Sequence, residues 1–277
     1  MKLRSGELPE TIAIVIAVYQ GEETLGRTLD SLSSQTRRPS AVVVMDGGST
    51  DGTQDILASR GDVVTLWRSA KDMGIYDAWN KALAHVTADW VAFLGADDYL
   101  HDTNVLARMA SAAAAAPPET PFIYGRLHEV DAAGQLVGEH GRPWALCRDR
   151  FAFEMNLPHP GMWHRRSACF ADGGFDISYR IAGDYAKLRP LLLRHAPLFV
   201  DTVVADAQEG GVSTHPDRRV ASVQEAGRAI LACGQPRPVG WHLMLLKNLL
   251  RRAVWRVAGD GGLHRVRAVA RRLRGGR

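Results

Sequence analysis

Residues Val91-Ala92-Phe93-Leu94-Gly95-Ala96-Asp97-Asp98 constrain this chain more than any other stretch. An apolar run of strand length ends abruptly in two adjacent carboxylates, and Tyr99 and Leu100 follow. A short continuous apolar segment reads as a strand buried on both faces. Open α/β sheets bind ligands just beyond the carboxyl ends of such strands. Two acids placed there repel each other and lose water, which is costly without a positive partner. A divalent cation removes that cost, and hard oxygen donors suit magnesium or manganese, which take substrate phosphates as further ligands. An isolated Asp-Asp more often caps a helix, here one expected from Thr103, or sits in a turn. Its place after a buried strand tips the balance toward binding.

The segments before it repeat the pattern. Thr11 to Val18 is a β-branched apolar run that breaks at Tyr19-Gln20-Gly21-Glu22-Glu23, and Leu25, Leu29 and Leu32 then recur at helical spacing. A second strand, Ala41 to Met45, ends at Asp46-Gly47-Gly48-Ser49-Thr50-Asp51-Gly52-Thr53. Asp51 with Gln54 resembles a capping box. Val63 to Trp67 predicts a third strand, and Ile75 to Val86 a helix with Tyr76, Trp79, Leu83 and Val86 on one face. Strand–helix alternation implies right-handed crossovers and a mostly parallel sheet, with these polar loops on one edge. After the helix that stops at Pro117-Pro118 the alternation ends. Shorter strand-like pieces from Phe122 to His140, irregular stretches at His159 to Trp163 and Gly173 to Asp176, a helix after Asp184 and a strand from Leu198 to Val204 suggest a second half shaping the other wall of a cleft.

Charge separates the end of the chain from the rest. The 277 residues are 46% apolar and 23% charged, ordinary for a globular protein. Three dispersed cysteines without a Cys-x-x-Cys argue against a disulfide framework or a zinc site and fit a reducing cytosol. No signal peptide or membrane span is read from the sequence. From Arg237 onward the net charge is about +10, leaving about −6 for the remainder. Leu243, Leu246, Leu250, Ala253, Val254 and Val257 share one helical arc, with Lys247, Arg251, Arg252 and Arg256 opposite. Such a helix either lies on an anionic membrane or docks on the body with a basic face in solvent. The Arg-rich continuation to Arg277 favours the membrane, and no nucleic-acid reader motif accompanies it.

Five segments together resemble a family 2 glycosyltransferase of the GT-A fold, of the bacterial surface-polysaccharide type. They are Ala17 to Glu22, Asp46 to Thr53, Asp72-Met73-Gly74-Ile75-Tyr76-Asp77-Ala78-Trp79-Asn80-Lys81, Gly95 to Asp98, and Gly173 to Tyr185. The match in order and spacing covers roughly residues 10 to 215. The resemblance implies a GT-A domain over 1–215, with a nucleotide-binding half at about 10–100 and an acceptor half at about 101–215, followed by a basic amphipathic helical tail over 216–277. It implies a nucleotide-sugar site built from Ala17, Tyr19, Glu22, Asp46, Gly47, Asp72, Gly74, Asn80 and Asp97. In that reading Tyr19 stacks on the base, Asp46 accepts from the uracil ring N–H, and Asp97 contacts ribose or sugar. Asp98 holds a Mn2+ or Mg2+ ion on the diphosphate, and Asp184 is the catalytic base of an inverting, hexosyl-type transfer. His159 is a candidate for positioning the acceptor, a glycan or lipid-linked hydroxyl, and the enzyme is expected in the cytoplasm, peripheral on the inner face of the membrane.

The chain departs from the family pattern where Trp79 replaces a common arginine and Gly183 replaces an acid before the base. Arg68 or Lys81 is then the expected phosphate-facing cation. Asp46 can also start a turn, Asp184 can cap a helix, and His159, Asp77 and Asn80 can be structural. His215 is weighed and set aside as a metal ligand. Two other functions compete. A sugar-phosphate nucleotidyltransferase would need a cationic Gly-rich loop after the first strand, and Ala17 to Glu23 supplies one glycine, no cation and two acids. An inactive nucleotide-sugar-binding scaffold would have no need to keep Asp46, Asp97, Asp98 and Asp184 together.

Overall fold

The computed structural model of the protein describes residues 10–171, 173–209 and 215–274, with side chains of the last segment described as far as residue 259. Four strands, β1 (Ile12–Val18), β2 (Ala41–Asp46), β3 (Leu66–Ser69) and β4 (Trp90–Gly95), run parallel in the order β3-β2-β1-β4. Their connections carry α1 (Leu25–Ser33), α2 (Thr53–Ser59) and α3 (Ile75–Leu83). Alternate side chains of β1 serve two cores, Ala13 and Val15 on the α3 side and Ile12, Ile14 and Ile16 on the α1 side. A strand sandwiched between two layers must be apolar at every position, which is why the run has no polar alternation. The register sets Ala17 level with Met45 and with Gly95, so β1, β2 and β4 end together.

Several boundaries differ from the expectation. The third strand begins at Leu66 because Val63 and Val64 are drawn into a turn that donates to the Arg60 carbonyl. Helix α3 ends at Leu83, three residues early, as the chain tightens into His85 N–H to Ala82 and Val86 N–H to Leu83 bonds. The capping box does not form. Asp51 accepts instead from Thr53 N and Oγ1, an Asx-type turn, and the Gln54 amide donates to the Ser49 carbonyl.

Beyond β4 the sheet becomes mixed. The elements are β5 (Tyr99–Leu100), α4 (Val105–Ala115), β6 (Phe122–Val130), β7 (Leu136–His140), α5 (Trp144–Phe151), β8 (Trp163–Arg165), α6 (Arg166–Cys169), α7 (Gly183–Leu192) and β9 (Leu198–Gln208). Short β8 inserts antiparallel between β4 and β6, β9 runs parallel to β6, and β5 closes the edge antiparallel to β9. The β6–β7 hairpin projects from this half.

Helix α8 (Pro216–Ala232) packs Val223, Ala226, Ala229 and Ile230 into the same core as Val15, Phe93 and Tyr185. Helix α9 (Val239–Arg274), kinked at Gly259, begins with Trp241, whose indole fills the space over Gly227 and donates to the Val223 carbonyl at 2.7 Å. A boundary at 215/216 therefore cuts through a shared core. The side chains of α8 and the first turn of α9 are buried with the body, and the part of the tail that leaves it lies further on. There the apolar arc faces outward: Leu243, Leu246 and Leu250 are 55–63% exposed and Val257 89%, whereas Trp241, Met244, Leu245 and Asn248 turn inward. No helix among the described residues is long and apolar enough to cross a membrane.

Candidate active site

The loops leaving β1 and β2 are tied to each other. Gln20 has a positive φ of 53°, unusual for a residue other than glycine. Its amide oxygen accepts from Thr50 N and Asp51 N, and its backbone N–H donates to Ser49 Oγ. Glu22 accepts from Gly52 N at 2.7 Å, so its carboxylate braces the second loop. Gly47 donates to the Val18 carbonyl, and a Cβ there would meet Asp72 at 3.0 Å and Tyr19 at 3.4 Å. Tyr19, 67% exposed, thus stands over the loop that opens with Asp46. Asp46 itself is buried and accepts from the Ser49 amide and from the Ser49 and Ser69 hydroxyls, the turn-starting role left open by the sequence. It also lines a cleft of about 350 Å3 between β2, β3 and α3, together with Arg68, Ala70, Asp72 and Lys81. Asp72 accepts from Gly74 N, which has a φ of 114° and starts α3.

Across the edge, Asp97 and Asp98 both fold back over Gly95. A Cβ on Gly95 would lie 2.6 Å from Asp97 Oδ1 and 2.8 Å from Asp98 Oδ2, so the two carboxylates converge where only glycine leaves room. Asp97 is exposed and Asp98 buried. Burial, reinforced by the charge of Asp97, pushes the Asp98 carboxyl up to about 7, against one bond from Gly95 N. The Thr28 hydroxyl, within hydrogen-bond distance of the Ala96 and Asp98 carbonyls, holds the turn from α1. Two converging carboxylates, one destabilised as an anion, fit a hard divalent cation.

Asp184 lies in the first turn of α7. Burial raises its carboxyl to about 6, opposed by bonds from Tyr185 N and Tyr76. Tyr76 links this residue to the start of α3: its hydroxyl donates to the Ile181 carbonyl and accepts from Gly183 N. Glycine at 183 is a steric requirement, since a Cβ there would come within 2.6 Å of the Tyr76 ring. The other singled-out residues are structurally engaged. Both ends of the Asn80 amide bond the Phe175 main chain, and Asp77 pairs with Lys81 at 2.8 Å. His159 stacks on Trp79 with Nε2 buried and unpartnered, and its burial keeps the ring neutral. His215 caps α8 by accepting from Asp217 N.

Two residues at this edge escaped the sequence reading. Arg180 donates to the Met73 carbonyl, placing a guanidinium beside Gly74 at the start of α3. Glu225 on α8 accepts from Arg180 N, Ile181 N and Ala182 N at 2.8–2.9 Å, clasping the segment that leads to Asp184. Arg180 falls within the Gly173 to Tyr185 segment without being singled out there, and Glu225 lies outside every motif, so only proximity in the fold marks their roles.

A parallel first half, level strand ends bearing carboxylates and a mixed second half match the architecture of the GT-A fold. The family model Glycosyl transferase family 2 matches residues 13–166, more than half of the chain, and the chain belongs to that family. It is 31% identical over 179 residues to a PGL/p-HBAD biosynthesis glycosyltransferase of Mycobacterium bovis (strain BCG / Pasteur 1173P2), a match covering 62% of this chain and 66% of that relative, just under two thirds of its length. It is 26% identical over 209 residues to an uncharacterized glycosyltransferase of Mycobacterium tuberculosis (strain CDC 1551 / Oshkosh), covering 74% and 78%. Among solved structures, S. aureus TarS 1-349 in complex with UDP superposes with a TM-score of 0.61 at 17% identity, covering 90% of this chain and 74% of that one. The mannosyltransferase PcManGT of Pyrobaculum calidifontis, in complex with GDP-Man and Mn2+, gives 0.59 at 17%, covering 96% and 83%. These two likenesses show the shared fold.

Proposed function

We propose that this glycosyltransferase moves a sugar from a nucleotide-sugar, a UDP-sugar, to a hydroxyl of a glycan or lipid-linked acceptor with inversion at the anomeric carbon. The observation that carries the reading is the Tyr76 clasp, which holds a carboxyl raised to about 6 beside the loop that starts α3. Asp184 is the base in this proposal. A carboxylate with that affinity for protons is ionised at neutral pH yet basic enough to take the proton from the attacking hydroxyl. Tyr19 and the cleft beside Asp46 receive the nucleotide, with Asp72 and Gly74 at its rim and Asp97 toward the sugar. Asp98, with Asp97 beside it, would hold a divalent cation, which when bound offsets charge on the leaving diphosphate. UDP bound in one protein of the same fold, and GDP-Man with Mn2+ in another, support a nucleotide-sugar donor with metal.

The outward arc of α9 supports a location on an anionic membrane surface, where a lipid-linked acceptor would be presented. Exposed leucines on a helix of basic sequence suit the headgroup boundary better than open solvent.

A thermal-shift panel of UDP, GDP, dTDP and CMP, each with and without Mn2+, tests the donor assignment, since a ligand of the folded state raises the melting temperature. Stabilisation by UDP with metal alone is expected. A GDP or dTDP shift overturns the uracil assignment while keeping the class, and no shift at all points to an inactive scaffold. Asp184→Asn should lose at least about 100-fold in transfer rate and keep the UDP shift. Undiminished transfer would remove Asp184 as base.

A further inference from the structure

We propose that His101, His128 and Asp206 form a zinc site, separate from the donor-site cation, that clamps the strand following the Asp97–Asp98 turn. Asp206 lies on β9 between the other two contributors. It is the ladder partner of Tyr99 on β5 and of His128 on β6, and His101, just past β5, donates its backbone N–H to Val204 of β9 at 3.2 Å. Three strands therefore deliver the three side chains, and sheet hydrogen bonds position them before any ion arrives.

The distances suit a small ion. His101 Nδ1 is 3.0 Å from Asp206 Oδ1, His128 Nδ1 is 3.4 Å from the same oxygen, and one ligand atom from each residue falls within 4.8 Å of the others. In a tetrahedral zinc site with bonds of about 2.1 Å, ligand atoms sit about 3.4 Å apart. The donor set favours zinc over the harder cation expected at Asp98, because two of its three ligands are imidazoles, which are borderline and suit zinc. Asp206 is 6% exposed, and His101 opens to solvent, which leaves the fourth position to water.

The surroundings supply what a zinc-bound histidine needs. With His128 Nδ1 toward the ion, its Nε2–H points at Glu139 Oε2, 3.3 Å away. A carboxylate on the far nitrogen fixes the tautomer and makes the ring a better ligand. Arg126 in turn bonds Glu139 at 3.3 Å and forms an ion pair with Asp201 at 3.0 Å, so the supporting carboxylate is itself held.

The consequence reaches the donor site through the chain. Strand β5 has two residues and begins directly after Asp98. An ion joining its end to β6 and β9 fixes the backbone that presents both carboxylates without entering the reaction.

The test uses the full chain, stripped with chelator and titrated with ZnCl2 or CoCl2 alone. One equivalent of Zn2+ should bind with a Kd below about 10 μM and raise the melting temperature by about 5 °C. Co2+ should give the visible absorption of a four- or five-coordinate ion. His101→Ala and His128→Ala should lose both signals, and Asp98→Asn should keep them. His101 is exposed, so its variant tests the site even if His128→Ala folds poorly. Absence of saturable zinc binding, or binding equally tight in His101→Ala, overturns the proposal. Neither readout involves nucleotide or transfer, so failure here is separable from failure of the proposed function.

Discussion

Asp98 is harder to keep charged in the fold than in the unfolded chain, and the sign of that difference makes a prediction. Its folded carboxyl titrates at about 7, above its ordinary value, because of burial and then Asp97. A group with a raised folded pKa contributes no penalty below its unfolded pKa, where both states are protonated. Stability is then lost as pH rises from about 4 toward about 7. Without divalent cations, the melting temperature of Asp98→Asn relative to the wild type should rise with pH, by about 4 °C between pH 5 and pH 8. With Mn2+ at pH 8 the wild type should recover that difference and the variant should not, because the ligand must be deprotonated to bind. An unchanged difference between the two proteins from pH 5 to pH 8 without metal would contradict the cost assigned to this charge.

At the scale of elements, the segment from Arg180 to Asp184 has no regular structure before α7 and borrows its order from two helices. Tyr76 of α3 grips it from one side and Glu225 of α8 from the other. Three N–H bonds to a single carboxylate are worth more than neutral ones, and losing them frees the backbone that aims Asp184. Glu225→Ala should lower kcat about tenfold or more while donor KM stays within about twofold, and Glu225→Gln should recover part of the rate. A loss confined to donor KM would place the segment at the nucleotide instead. The clasp was unreadable in advance, because Glu225 sits on a helix 43–45 residues away and accepts only from main chain. The strand–helix alternation up to Asp98 was readable, since each apolar run and helical stripe is local. The Asp51–Gln54 pair failed as a capping box because Asp51 found a closer donor at Thr53.

For the whole molecule, the question is which surface of α9 is spent on folding. Trp241, Met244 and Leu245 dock on the body, so Leu243, Leu246, Leu250 and Val257 remain outside, while Arg252 and Arg256 turn toward Asp217 of α8. Each half-exposed leucine moved into a lipid boundary gains roughly 1–2 kcal/mol, and anionic headgroups add to it. Cosedimentation with anionic vesicles should therefore retain the wild type and release Leu246→Glu/Leu250→Glu by about tenfold or more. The melting temperature should shift by less than about 2 °C, because neither side chain supports the core. Equal retention on zwitterionic vesicles, or no retention on either, would remove the membrane from the proposal.

What the sequence by itself determined is the layered plan: buried runs of strand length, helices with one apolar stripe, and acids at the strand ends. Period and composition act within a few residues, so these survive in any compact arrangement of the chain. Tertiary structure alone decided that β8, three residues long, inserts antiparallel beside β4, and that α8 closes the core instead of opening a tail. It also decided that positions 101, 128 and 206 meet, two on neighbouring strands and one just past a third. Those arrangements depend on hydrogen bonds and side-chain packing between segments tens of residues apart. No local pattern encodes such pairings, and they are settled only when the whole sheet closes and its two faces compete for cover.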